Sequence, residues 1–233
     1  MKRRRLLKVL LIPMLAAGCT PPAGQSPQPS VGAEAVNAAY PAIGARWRVR
    51  VTEREFFRET VEDRDITATA VDFLGRRGYG MMSPTITIVR DPATFNVIGT
   101  VQGGKAATTY TPEAGPFSWP LWVGKSWEAT YSFTDFVYGR VWPVAKSRAR
   151  VAAIEDITVP AGTFKAFRIE YSGGIGTESV PTRRNPGNAG IESNDVYWYA
   201  PGAKIVVKSV VERLGSHYRG AGRTTSELLS PPR

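Results

Sequence analysis

Only two side chains in the 233 residues could act as a thiol nucleophile or an imidazole base: Cys19 and His217, each the sole residue of its type. One histidine and one cysteine cannot build a multi-histidine or thiolate metal site, and they leave no partner for an intrachain disulfide. A Ser-His-Asp triad would have to use His217, which sits in the turn-like segment GSHYRG, and the chain has neither a Gly-x-Ser-x-Gly nor a Ser-x-x-Lys motif. The carboxylates cluster as Glu53/Glu55, Glu62/Asp63/Asp65 and Glu155/Asp156. Glu53 and Glu55 share a strand face, but Arg54 and the arginines around it make surface ion pairs the simpler role than the facing carboxyl pair of a glycosidase. Gly173-Gly174-Ile175-Gly176 matches neither a phosphate loop nor a dinucleotide fingerprint. No catalytic residue, metal site or cofactor is therefore expected. The richer signal is aromatic. Trp127, Tyr131, Phe133, Tyr197 and Tyr199 fall at alternating positions, so each set shares one face of a strand. Such a face is either a concave wall for an acyl chain or sugar, or the packed core of a large sheet.

Cys19 has a different chemistry. The chain begins MKRRRLLKVLLIPMLAAGC. A basic start, an apolar run over Leu6–Ala17 broken only by Lys8, and the small residues Ala16, Ala17 and Gly18 form the three parts of a secretory signal. The run is too short for the roughly 20 residues of a spanning helix. The residues LAAGC resemble a lipobox, the processing site of bacterial lipoproteins, with Leu15 one place further from the cysteine than in the commonest pattern. The resemblance implies cleavage between Gly18 and Cys19, a diacylglycerol on the Cys19 sulfur, and acylation of the new amine by a chain such as palmitate. Two acyl chains hold a protein on a bilayer where one does not. With Thr20 rather than Asp after the cysteine, the family's sorting pattern implies the outer membrane, facing the periplasm.

The charge balance narrows the partners. Thirty Lys and Arg stand against twenty Asp and Glu, but Lys2, Arg3, Arg4, Arg5 and Lys8 lie in the signal. The mature chain keeps 25 bases against 20 acids, a net +5, and no long basic run. That is a solvated, mildly basic surface, and no nucleic-acid partner is expected. The expected partners are the membrane, through the N-terminal acyl chains, and a lipid or an envelope protein.

Three segments follow: the signal over 1–18, the lipidated cysteine with a tether over 19–38, and a single β-rich domain over 39–233. Pro21, Pro22, Pro27 and Pro29 lie among Gly, Ser and Gln with no charge. A stretch of that kind is extended, and at about 3.1 Å per residue it reaches roughly 40 Å.

Beyond Tyr40 the pattern has period two. In RWRVRV, Trp47, Val49 and Val51 face one way and Arg46, Arg48 and Arg50 the other. Strands are expected over 66–73, 85–89, 95–102, 127–133, 144–158, 163–171, 194–200 and 204–213, with RTTSELL as a final one. GRRGYG (75–80) reads as a turn, 112–126 as a loop and 172–190 as a long polar loop. No amphipathic helix is evident. The fold class is all-β: a curved antiparallel sheet, as a meander, half-barrel or clam, with little helix. Gly44-x-x-Trp47 and Gly124-x-x-Trp127 lie 80 residues apart, each at the opening of a strand, a weak internal echo.

The segments VPAGTF (159–164), YWYAPG (197–202) and PLWVGKSW (120–127) together resemble a family of uncharacterised bacterial envelope lipoproteins, related in shape to the lipoprotein carriers with a β-clam fold. The resemblance spans roughly 115–212. It implies a curved sheet and an envelope location, and it brings no catalytic residues. Pro160-Ala161-Gly162 and Pro201-Gly202 suit tight turns, in which Pro fixes φ and Gly permits a positive one. The expected function is a non-enzymatic, lipid-anchored envelope protein that binds an apolar or amphipathic ligand, or a partner protein, on its curved sheet. A structural or assembly module with a filled core and a hydrolase of envelope polymers are the alternatives.

Overall fold

The computed structural model describes residues 34–55, 57–175, 191–214 and 222–233. Cys19, Gly18 and His217 lie outside them, as does most of the tether.

Every element of the described chain that forms a regular ladder is a strand: β1 (Arg46–Glu55), β2 (Arg58–Phe73), β3 (Arg76–Met82), β4 (Thr87–Arg90), β5 (Val97–Gln102), β6 (Lys105–Ala114), β7 (Ser126–Asp135), β8 (Arg140–Val159), β9 (Gly162–Ile175), β10 (Ile191–Ala200), β11 (Ile205–Leu214) and β12 (Gly222–Ser230). Each pairs antiparallel with its sequence neighbours, and β12 pairs with β1, so the expected curved meander goes past a half-barrel and closes. At the seam Val51 lies opposite Ser226 and Thr52 opposite Thr225, and the backbones of Arg46 and Arg233 exchange two hydrogen bonds of 3.0 Å. Closure satisfies both edges that an open sheet would leave unpaired.

Period-two alternation sorts the side chains. Trp47, Val49 and Val51 on β1 point into the barrel, opposite Ile66, Arg64 and Glu62 of β2. The arginines between them point out and pair with the acids of the next strand: Arg50 with Asp63 at 2.8 Å and Arg48 with Asp65 at 3.2 Å. Arg148–Glu128, Arg150–Glu170 and Lys208–Glu227 repeat the arrangement on β7–β9 and β11–β12. Each such pair contributes at most about 1 kcal/mol. Their mid-strand positions are where a lipid-facing barrel carries its apolar band, so the outer wall at these strands is built for water, while on β2–β6 the outward Phe73, Val89 and Ile98 are buried in a cluster of their own.

Four expectations change in detail. GRRGYG is not a turn, because Leu74 and Gly75 take the positive φ values of the bend (52° and 78°) and Arg76 already starts β3. The segment 105–114, not anticipated as a strand, is β6, and 172–175 extends β9. Gly162 has φ 127° as expected after Pro160, but at the next hairpin Lys204 (φ 56°) takes the left-handed conformation, not Gly202.

The echo between the two Gly-x-x-Trp units has a structural counterpart. Gly44 and Gly124 both have φ 91°. Each donates its N–H across to the next strand, Gly44 to Ala68 O at 2.8 Å and Gly124 to Val151 O at 2.9 Å. Ala68 and Val151 donate back to the residue after the glycine, Ala45 and Lys125, at 2.9 and 2.8 Å. The same local device therefore opens β1 and β7, the first strands of two six-stranded halves.

One end of the barrel is filled. Residues 34–45 run across it, with Val36 and Leu121 exchanging backbone bonds of 2.9 and 2.8 Å. Tyr40 stacks on Phe95 (4.9 Å between centroids, 2° between planes) and its hydroxyl donates to Pro92 O. Tyr79 Oη donates to Pro41 O at 3.0 Å, and Tyr199 Oη to Ala39 O at 2.6 Å. Beneath this plug lie Trp47, Phe95, Phe117, Leu121, Phe167, Ile169, Tyr199 and Val207, all buried. Burial of one such side chain stabilises by about 1.5–3 kcal/mol.

Candidate functional site

Two loops at the filled end, 91–96 and 115–125, are stitched together. Asn96 Nδ2 donates to Phe117 O at 2.9 Å and Phe117 N donates back to Asn96 Oδ1 at 3.1 Å. Trp119 Nε1 donates to Thr94 O at 2.7 Å. Lys125, itself buried, donates to Ser118 O and, at 2.9 Å, to Pro120 O, while its ammonium sits 4.6 Å from the Trp122 ring centroid. This clamp fixes the loop before β7 and so the start of the inward series Trp127, Ala129, Tyr131, Phe133.

Away from the plug the lumen is not filled. A cavity of about 550 Å³ is lined by Tyr110, Tyr131, Tyr171, Ser193, Asp195, Tyr197, Arg90 and Arg213, with Glu55, Gly173 and Gly174 at the end where β1, β9, β10 and β11 meet their hairpins. Gly173 takes the inward position after Tyr171, where an added Cβ would lie 2.9 Å from Ser147 Cβ and 3.2 Å from Tyr171 Oη. A second, apolar chamber of about 250 Å³ adjoins it, lined by Trp47, Val49, Val51, Ile66, Ile88 and Phe95 together with Arg90 and Tyr197. Arg90 and Tyr197 belong to both linings and so stand between the chambers.

Register explains the grouping. Asp195 faces Tyr171 across β10–β9 and Val211 across β10–β11; Tyr197 faces Ile169 and Ser209. Tyr197 Oη donates to Asp195 Oδ2 at 2.8 Å, while Asp195 Oδ1 is buried with no hydrogen-bond partner. Burial raises the Asp195 carboxyl above the ordinary carboxylate range, opposed by the Tyr197 hydrogen bond, then by the Ser193 side chain and the charge of Arg213. Burial also raises Tyr197 well above its usual value, and the adjoining Asp195 adds to this. Tyr131 and Tyr171 approach at 3.4 Å between hydroxyls, and burial raises both; Tyr110 is pushed up to about 12 for the same reason. The tyrosines are therefore neutral hydrogen-bonding groups at any ordinary pH.

Arg90 is half-buried and lines both chambers. Its Nη1 donates to Phe95 O at 2.7 Å, its Nε contacts Met81 Sδ at 3.2 Å, and the guanidinium lies 4.8 Å from the Phe95 ring centroid. Burial pulls it down to about 10, and the groups that oppose this are Tyr197 and Tyr79; no carboxylate of the described residues is among them.

Of the five aromatic residues singled out in the sequence, all face inward, but only Tyr131 and Tyr197 line the large cavity. Tyr199 is fully buried in the filled end against Trp119 and Phe117. Phe133 packs between Tyr110 and Trp142, and Trp127 packs against the core beside Lys125. Sequence reasoning missed Arg90, Tyr110, Tyr171, Asp195 and Arg213 as site residues. The signal for two of them was present: Arg90 occupies the face of Ile88, and Asp195 the face of Tyr197, each at period two. Glu53, considered for glycosidase chemistry, is instead 3.6 Å from Arg64.

No protein-family model matches the chain, and no curated protein matches it. Among solved structures, it is similar to a provisionally assigned lipoprotein from Parabacteroides distasonis (12% identity, 86% of this chain and 100% of that one, TM-score 0.44). It is also similar to the hypothetical lipoprotein YmcC from Escherichia coli (11% identity, 79% and 84% covered, TM-score 0.43). A protein from Bacteroides fragilis, provisionally described as exported and as having a YmcC-like fold, gives 12% identity, 84% and 99% coverage and a TM-score of 0.39.

Proposed function

We propose that this is a cell-envelope protein, anchored by acyl chains on Cys19, whose barrel lumen binds an apolar or amphipathic ligand without chemically changing it. The observation that carries the binding reading is the unfilled lumen. The inward positions of β9, β10 and β11 change from large apolar residues to tyrosine, glycine, serine and charge, and the resulting polar cavity adjoins an apolar chamber. Small-molecule sites combine apolar walls with a few placed polar groups in this way. The anchor rests on the sequence LAAGC after its basic and apolar run, and the outer membrane on Thr20.

Native mass spectrometry of the full chain released from membranes tests both parts. The expected spectrum shows a diacylglyceryl-modified N-terminal cysteine and a population carrying an additional small amphiphile. An unmodified Cys19 sulfur overturns the anchor; a protein that stays empty when mixed with amphiphiles overturns the lumen.

One observation favours a second reading, a docking module for an envelope protein. The β7–β8 hairpin exposes Phe136, Val137 and Tyr138 at its tip and Val141 just beyond, beside Arg140. Exposed apolar residues gathered on one projecting element mark contact sites. Loss of co-purifying protein on Phe136→Ser/Val137→Ser substitution, with amphiphile binding intact, would support it.

A further inference from the structure

The geometry points to an anionic headgroup: the lumen is built for a single-chain amphiphile whose negative head sits on Arg90 and whose tail lies in the apolar chamber. This inference rests on the lumen-binding reading and specifies its ligand.

Arg90 is an expensive residue to place here. A guanidinium partly withdrawn from water without a counter-charge is costly, and enclosed cations are normally found paired. Elsewhere on the barrel many arginines carry a carboxylate partner, among them Arg48, Arg50, Arg148, Arg150 and Arg168. Arg64, the other cation on the apolar chamber, lies 2.8 Å from Glu62 and 3.6 Å from Glu53. Arg213, in the polar chamber, acts on Asp195. Glu55 stands exposed at the rim. Arg90 alone among these has a carbonyl, a thioether and an aromatic face as its neighbours. Its carbonyl bond uses one nitrogen and its thioether contact another, which leaves N–H groups for an incoming oxygen.

Position supplies the second half. Arg90 lies at the junction of the two chambers, so a head bound there has one direction for its tail that is apolar: past Ile88 toward Trp47, Val49, Val51 and Ile66. The opposite direction holds Tyr110, Tyr131, Tyr171 and Asp195, hydrogen-bonding groups suited to water or to polar substituents of the head. Asp195 also argues against a reversed charge preference being general: its carboxyl is raised toward neutrality and is already bonded by Tyr197, so it competes weakly for a cationic head. A charge-assisted bond to a carboxylate or phosphate is about twice as strong as a neutral one.

Three probes of equal chain length separate the possibilities: octanoate, octanol and octyltrimethylammonium, titrated at pH 7 into the full chain held in lipid nanodiscs, with empty nanodiscs as the blank and tryptophan fluorescence as the readout. The expected order is octanoate at least tenfold tighter than octanol, with the ammonium weakest. Arg90→Met removes the tenfold advantage and leaves octanol unchanged, whereas Arg90→Lys, which keeps the charge, restores most of it and guards against a folding defect in the first variant. Equal affinity for octanoate and octanol, or an Arg90→Met protein that still prefers octanoate, overturns the headgroup assignment while the lumen reading stands. Binding of none of the three overturns the lumen reading and the assignment with it.

Discussion

Read from the plugged end to the open one, the inward positions of β9 run Phe167, Ile169, Tyr171, Gly173, and those of β10 run Tyr199, Tyr197, Asp195, Ser193. The same two strands, in one register, thus build both a dense aromatic core and a polar cavity. At the first end the plug satisfies the tyrosine hydroxyls, Tyr199 on Ala39 and Tyr79 on Pro41, while the buried Trp47 Nε1 has no partner. At the second, Asp195 Oδ1 has no partner and the Tyr131–Tyr171 contact is a long 3.4 Å. The contrast teaches that stability and recognition are separated along the barrel axis, so each should respond to substitution at its own end.

The sharpest way to break this division is to empty the filled end. Phe167→Ala, at a fully buried site opposite Tyr199 and Ile154, is expected to cost about 3–5 kcal/mol in urea unfolding. A loss under 1 kcal/mol would show that the plugged end is not the stabilising one. Next in size is Tyr199→Phe, which removes the 2.6 Å bond to Ala39 O and should cost about 1–2 kcal/mol. At the cavity end the sign reverses. The folded-state carboxyl of Asp195 is raised, so its ionised form is held at a cost above the ordinary carboxylate range and not below it. Asp195→Asn should therefore stabilise the protein at neutral pH by less than either loss, with the gap from wild type closing as the pH falls toward the range where Asp195 is protonated in both states. A gap that is constant with pH would contradict the assigned shift. Smallest of all, Tyr131→Phe should change stability by a few tenths of a kcal/mol, because a 3.4 Å hydroxyl contact is a weak hydrogen bond.

Much of the wall was legible before any coordinates. Period-two alternation put Trp47, Val49 and Val51 inside and their arginines outside, and the register of β1 on β2 obeys it. It also placed Tyr131, Phe133, Tyr197 and Tyr199 on inward faces. What alternation cannot express is depth along the axis. Tyr197 and Tyr199 have the same orientation, yet one lines the cavity and the other is sealed beneath residues 34–45, a segment that carries no periodic signal of its own. Closure was equally hidden, because the pairing of Val51 with Ser226 joins positions 175 residues apart and nothing local specifies it. Lone charges on an apolar face, Arg90 beside Ile88 and Asp195 beside Tyr197, are the marks of the site in the sequence.

The seam between β1 and β12 sets an order on assembly. During synthesis the first strand emerges while its eventual neighbour is some 170 residues away, so until Gly222–Ser230 docks, Arg46–Glu55 and Ile205–Leu214 each present an unpaired ladder. Long-range pairing of that kind is slow, and the waiting intermediate is open to strand addition by other chains. Loss of the last dozen residues would therefore do more than trim a terminus: it would turn a container into a sticky ribbon.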